Sequence, residues 1–168
     1  HIASETGLHS EKIYDADLWV LSPGVPKNVD IVIKAQEKNI PIVGEIEFAS
    51  WFTEAPIVAV TGSNGKTTTA YILTEMCQFN NSHSVMAGNM GLPFSERVLN
   101  EIIACDETRT YILEVSSFQM EFINHFSPTI AVYTNLSIDH LDRHGSMEEY
   151  RKMKLRMIEN MDQEDFVV

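Results

Sequence analysis

Cysteine is nearly absent: Cys77 and Cys105 are the two in 168 residues, and they form no CxxC pair. That is too few for a disulfide framework or a cysteine zinc site, so they read as reduced thiols of a cytosolic protein. Basic residues are also scarce, 12 against 24 acidic ones, which leaves a formal net charge of −12. A surface that negative repels phosphate backbones and anionic lipid, which excludes general nucleic-acid or membrane-surface binding. No apolar run nears the ~20 residues of a membrane span. The opening residues, HIASETGLHS, lack the basic start and apolar stretch of a signal peptide. No internal repeat or low-complexity tract occurs. Apolar runs recur along the whole length and 44% of residues are hydrophobic, which excludes disorder and suffices for one globular domain, or one and a part.

The recurring unit is a short apolar run, a turn rich in Gly, Ser or Asn, and a helical stretch. A strand at 18–21 runs into Ser22-Pro23-Gly24-Val25-Pro26. A helix follows at 29–38, then a strand at 40–43 closed by Gly44, then a short helix at 45–52. Thr53-Glu54-Ala55-Pro56 reads as a linker, because proline restrains the residue before it and ends helices. The pattern restarts with a strand at 57–60 and a long helix at 66–79. Further strands are expected at 84–87, 111–115 and 130–134. Strands that are apolar throughout and alternate with helices predict an α/β fold, a three-layer, doubly wound parallel sheet. The chain opens as if within a domain and closes on Phe166-Val167-Val168, the start of a strand, as a piece of a larger protein would.

Ligands of such sheets bind beyond the carboxyl ends of the strands. In the second unit, four strand ends carry polar groups: Thr61-Gly62-Ser63-Asn64-Gly65-Lys66-Thr67, Gly88-Asn89, Glu114 with Ser116-Ser117, and Asn135 followed by Asp139 and His140. In the first of these, Gly62 and Gly65 let the backbone turn its N–H groups inward as a phosphate nest, aided by the following helix's positive end. Lys66 is expected to reach the terminal phosphates and the Thr67 hydroxyl to hold magnesium. Two residues separate these glycines, where the general P-loop has four. Glu114 ends an apolar run, where a carboxylate is costly unless paired or metal-bound, so magnesium ligation is its natural role. His140 alone is ambiguous between a structural and a ligand role.

Ser146 and Glu149 form a capping box that starts the last helix. At helical spacing Tyr150, Met153, Met157, Ile158 and Met161 share one face, with Lys154 in the middle of the stripe. A lysine there needs a partner, a modification or a snorkelling route to water, and snorkelling is the commonest outcome. The functional alternative directs Lys154 into the site.

These segments resemble the Mur ligases. The segment VAVTGSNGKTTT, from Val58 to Thr69, is similar to the family's ATP loop, whose shorter glycine spacing accounts for the departure above. GNMGLP, LEVSSFQME and NLSIDHLDR are similar to the branch acting on UDP-N-acetylmuramoyl-L-alanine and D-glutamate. The resemblance implies that 1–54 is the later part of a Rossmann-like domain for the UDP end of the substrate. It implies that 55–168 is most of a P-loop-type central ATPase domain, with a C-terminal domain beyond. It assigns Gly62, Ser63, Asn64, Gly65, Lys66, Thr67 and Thr68 to ATP. Ser22, Pro23, Gly24, Asn89, Ser116, Gln119, Asn135 and His140 fall to the UDP-linked substrate, and Thr67, Glu114 and His140 to two magnesium ions. Lys154 matches the family's carbamylated lysine, an anion supporting the second magnesium. Lys66, His140 and Lys154 are the catalytic candidates. The family's chemistry is acyl activation by ATP and attack by an amine, in a monomer.

Other readings are a sister ligase for another amino acid or folate, a P-loop kinase or GTPase, and a non-catalytic nucleotide-binding module. A kinase or GTPase needs no lysine on an apolar helical face. The 168 residues alone are expected to turn over weakly or not at all.

Overall fold

The computed structural model describes residues 4–80, 83–105 and 110–168. A short first unit comprises β1 (Trp19–Leu21), α1 (Asp30–Glu37), β2 (Ile42–Gly44) and α2 (Glu45–Ser50), with β1 and β2 paired in parallel, Trp19 opposite Ile42. The strand expected at 40–43 begins two residues late. Ile40 donates its N–H to Ala35 O (3.0 Å) as part of the end of α1, and Pro41 has no N–H to give.

The second unit runs β3 (Ile57–Thr61), α3 (Lys66–Phe79), β4 (Ser84–Gly88), α4 (Phe94–Ala104), β5 (Thr110–Glu114), β6 (Ile130–Tyr133), α5 (Leu141–His144), α6 (Met147–Leu155) and β7 (Phe166–Val167). Its strands are all parallel, in the order β4-β5-β3-β6-β7. The closing Phe166-Val167 does form a strand, on the edge beside β6. β3 lies between β5 and β6, so the loop leaving its carboxyl end is flanked on both sides by the ends of neighbouring strands.

Alternate residues of β3 and β5 serve opposite faces of the sheet. Val60 and Ile112 pack with Ala70 of α3. Ile57, Ala59, Tyr111 and Leu113 join Phe94 and Val98 of α4, Met120, Phe126 and Met157 in the larger core. Ile46 and Ala49 of α2 belong to that same core, so packing crosses the 53–56 linker. The sequence reading named no helix between β4 and β5. α4 fills that place, with Pro93 at its N-cap and Phe94 and Val98 one turn apart on its buried face. Ser146 caps α6 by accepting the Glu149 N–H at 3.2 Å, but the reciprocal half of the capping box does not form, because Glu149 pairs with Lys152 at 2.9 Å. Among the described residues, no helix is long and apolar enough to cross a membrane.

Candidate active site

The turn after β3 is pinned to the segment that follows β6. Ser63 N–H donates to Asn135 O (3.0 Å), and Asn64 N–H to Asn135 Oδ1 (3.0 Å). Asn135 Nδ2 and Thr134 Oγ1 both donate to Asn64 O, at 2.8 and 2.6 Å. The Ser63 hydroxyl donates to Ser137 O and accepts from Ser137 N–H, each at 2.9 Å. Gly62 must be glycine: its φ is 148°, and a Cβ there would collide with Thr134 Oγ1. Gly65, at φ 82°, is the N-cap of α3 and turns the chain into that helix. Asn135, which the resemblance assigns to the substrate pocket, thus has both ends of its amide engaged by the loop.

Two ammonium groups converge on this turn. Lys66 Nζ donates to Gly62 O (3.1 Å) and Ser63 O (2.9 Å). Lys154 Nζ donates to the same Gly62 carbonyl at 2.8 Å and to Thr61 Oγ1 at 3.3 Å, and lies 4.8 Å from the centre of the Tyr150 ring. Lys154 is 3% exposed, so it does not snorkel but is directed into the loop. Burial, and then the neighbouring Lys66 charge, push its ammonium down to about 8 from the usual 10.5. Within a chain of net charge −12, two lysines and the start of α3 concentrate positive charge at this turn.

Glu114 stands beside the loop, opposite Val60 in the β3–β5 register and 2% exposed. Its Oε1 accepts from Asn89 Nδ2 at 2.8 Å, while Oε2 is buried with no hydrogen-bond partner among the described residues. A buried carboxylate oxygen without a donor suits a bound cation. Gly88 lets the strands close at this point: its φ is 103°, and a Cβ would collide with the Glu114 carbonyl oxygen. Gly88→Ala is therefore expected to destabilise the protein by about 2–4 kcal/mol. An unchanged thermal midpoint would show that the strand end yields freely.

The remaining candidates are less gathered. Thr67 and Thr68 are exposed on the first turn of α3. His140, at φ 49°, is half-exposed, lies 3.5 Å from the Asp139 carboxylate and packs on the Phe118 ring. Among the described residues, no three His, Cys, Asp or Glu side chains cluster as a metal site. That is compatible with magnesium, which takes one or two carboxylates and completes its shell with phosphate oxygens and water. Ser116 donates its N–H and hydroxyl to Gln119 Oε1, at 2.9 and 3.1 Å. The sequence reading passed over His144. Its ring stacks on Phe118, and its Nε2 lies 2.9 Å from the buried Ser117 hydroxyl. Burial lowers its pKa. Its position one α-helical turn after His140 was the available signal.

A cleft of about 410 Å³ opens between the two units. Leu21, Ser22 and Pro23 form one wall, and Gly88, Asn89 and Pro93 the other, with Glu45 and Gln119 between them. Four predicted substrate residues, Ser22, Pro23, Asn89 and Gln119, therefore meet in one place. Gly24, Ser116, Asn135 and His140 do not line it.

Residues 60–168 match the family described as Mur ligase middle domain. UDP-N-acetylmuramoylalanine–D-glutamate ligases are among the similar proteins. The one from Christiangramia forsetii is 41% identical over 162 residues, covering 95% of this chain and 35% of that protein. The one from Thermoanaerobacter pseudethanolicus is 44% identical over 158 residues, covering 94% and 34%. The chain thus spans about a third of the length of these relatives. Two solved structures share the fold. One is the UDP-N-acetylmuramate:L-alanyl-gamma-D-glutamyl-meso-diaminopimelate ligase of Neisseria meningitidis, with TM-score 0.60 and 17% identity over 93% of this chain and 52% of that one. The other is the MurF ligase of Thermotoga maritima in complex with ADP, with TM-score 0.53 and 19% identity over 89% and 41%. A phosphate-type loop fed by two lysines, on a parallel sheet matched over most of its length by one family model, has one placement: the chain belongs to the Mur ligase family.

Proposed function

We propose that this chain is the nucleotide-handling part of an ATP-dependent ligase that joins D-glutamate to UDP-N-acetylmuramoyl-L-alanine in peptidoglycan synthesis. The observation that carries the reading is the convergence of Lys66 and Lys154 on the Gly62 carbonyl, beside the unpartnered Oε2 of Glu114. The names of the relatives and the ADP complex of a fold neighbour support it.

In this reading Gly62 to Thr68 receive the ATP phosphates, and Lys66 exchanges its loop carbonyls for phosphate oxygens. The substrate carboxylate attacks the terminal phosphorus and ADP departs, leaving an acyl phosphate. The amine of D-glutamate then adds to the acyl carbon, and phosphate leaves as the amine loses a proton. Thr67, Glu114, His140 and a carbamylated Lys154 would hold two magnesium ions, which neutralise charge on the phosphate oxygens. Carbamylation joins the neutral amine to carbon dioxide and releases one proton. The buried, depressed ammonium of Lys154 favours that neutral form. Ser22, Pro23, Gly24, Asn89, Ser116 and Gln119 serve the UDP-linked substrate. The D-glutamate site belongs to the part of the relatives' length that this chain does not span, and the enzyme works as a cytoplasmic monomer.

The test follows phosphate release by the full-length protein with ATP, magnesium and UDP-N-acetylmuramoyl-L-alanine, offering D-glutamate, L-glutamate and L-alanine in turn. Release with D-glutamate alone is expected. Release with another amino acid instead moves the protein to a sister ligase, and no release with any of them overturns the reading.

A further inference from the structure

We propose that His144 is a positioning residue: with Ser117 it clamps the Phe118 ring and so holds in place the turn that carries His140. The inference rests on the ligase reading above, in which His140 is a magnesium ligand, and adds what keeps that ligand in position.

His140 enters α5, a helix of four residues, from the left-handed region at φ 49°. A non-glycine residue keeps that conformation only where its neighbours over-determine it. Burial does not do so, because Ile138, Leu141 and Asp142 are all exposed. Nor do the backbone bonds, which stay inside the turn: the Arg143 and His144 N–H groups both return to His140 O at 3.1 Å. Among the described residues, the hydrogen bonds from 138–145 to the rest of the chain come from two side chains. Arg143 Nη2 donates to Glu121 Oε2 at 3.1 Å and to Val25 O at 3.5 Å. His144 Nε2 shares a hydrogen bond with Ser117 Oγ at 2.9 Å.

These tethers converge on one ring. Phe118 has the His140 imidazole at 5.0 Å between centroids, tilted by 59°. It has the His144 imidazole at 5.3 Å and 9°, nearly parallel, and the Arg143 guanidinium carbon 5.1 Å from its centre. The Tyr150 ring lies against His144 as well, at 5.3 Å, and its hydroxyl is 3.1 Å from Ser63 Oγ in the turn after β3. Ser117 is 1% exposed and stands three residues beyond Glu114, so the fixed end of the clamp belongs to the strand end itself. A buried hydroxyl requires a partner, and among the described residues His144 supplies the one this side chain has. A ring stack alone leaves its members free to slide. The directional bond to Ser117 fixes where the His144 imidazole sits, and Phe118 relays that position to His140. Groups behind a metal ligand set its orientation and thereby the affinity of the site.

The experiment titrates the full-length protein, saturated with ADP, with manganese in place of magnesium. Free manganese is read by electron paramagnetic resonance, which requires no turnover, and thermal midpoints are taken alongside. His144→Phe keeps the stack and loses the bond, and Ser117→Ala removes the bond's other end. Each is expected to weaken manganese binding about 10-fold, and to raise the magnesium concentration for half-maximal ligation by about the same factor. Combined, they should lose no more than either alone, because both remove one bond. His144→Gln, whose amide can donate or accept, is expected to stay within about 3-fold of wild type. In a His140→Ala background, His144→Phe should add less than about 2-fold, since its effect passes through that imidazole. Wild-type manganese affinity in His144→Phe overturns the inference, as does a lowered thermal midpoint with manganese binding intact. Losses that multiply, with Ser117→Ala or with His140→Ala, overturn it too. A wild type that binds no manganese beside ADP overturns the ligase reading itself.

Discussion

Lys154→Ala in the full-length protein is expected to lower ATP-dependent ligation by about 10³-fold, the scale of removing a preorganised charge from a transition-state site. The buried Nζ sits on the Gly62 carbonyl, next to the residue that would hold the terminal phosphates. Lys154→Arg separates the two roles open to it. If the side chain acts as a cation, arginine retains a large share of the activity. If it acts as a carbamate, arginine fails as badly as alanine, since a guanidinium does not take up carbon dioxide in this way. The carbamate role further predicts that wild-type activity rises with added bicarbonate and that ¹³C-bicarbonate labels the protein. Carbon dioxide combines with the neutral amine, and burial together with Lys66 brings the ammonium down to about 8. Carbamate formation therefore grows as pH rises toward that value. Arginine activity within about threefold of wild type, a gap too small for a lost charge at the site, would defeat the carbamate role.

The second large effect concerns stability. Glu47 is fully buried in α2, and its carboxylate accepts N–H bonds from Asn124 (2.8 Å), His125 (3.0 Å) and Phe126 (2.9 Å), and from Trp51 Nε1 (2.9 Å). Glu47→Ala removes the partner of all four donors, of which the Phe126 N–H is buried and the others part-buried, and is expected to cost about 4 kcal/mol. Burial on its own raises the Glu47 pKa, but the bonds from Asn124, Trp51, Phe126 and His125 outweigh it, and the net shift is downward from 4.5. A carboxylate with a depressed folded pKa stabilises fully above its unfolded value. That stabilisation is lost as pH falls through the folded one. Urea unfolding at pH 7 and near pH 4 should therefore show an acid loss that Glu47→Gln reduces. A Glu47→Ala variant within about 1 kcal/mol of wild type at pH 7 would show that this carboxylate is dispensable.

What could be read in advance follows from how local each signal is. Helix 66–79 is legible in the sequence because the Gly65-Lys66 pair after the β3 turn marks its start. The strand ends carrying Gly62, Gly88 and Glu114 followed from apolar runs that stop at polar residues. The pocket residues Ser22, Pro23, Asn89 and Gln119 came through resemblance, and the cleft unites them. Long-range pairings were not legible. Nothing near Glu47 announces that its three backbone donors lie 77 to 79 residues away. Lys154 on an apolar stripe favours snorkelling from spacing alone, and its burial at 3% exposure depends on the loop after β3, which no local pattern shows. Helix α4 has a start signal in Pro93 and a buried face in Phe94 and Val98, but the exposed Leu99, Ile102 and Ile103 blur the spacing of that face.

The membership of α2 in the larger core bears on how this protein can be dissected. A recombinant central unit begun at residue 55, where the linker invites a cut, would lose Ile46 and Ala49 from its interior and Glu47 from the turn at 124–126. Gly44 would go too, with the bond from its N–H to Phe122 O at 2.8 Å. Such a truncation would present raw apolar surface and orphaned amides, and would precipitate or misfold. A boundary drawn before β1 keeps the helix with the domain it packs on. The inheritable unit is therefore larger than its sheet: the half built on the five-stranded sheet carries a piece of its neighbour as a built-in part.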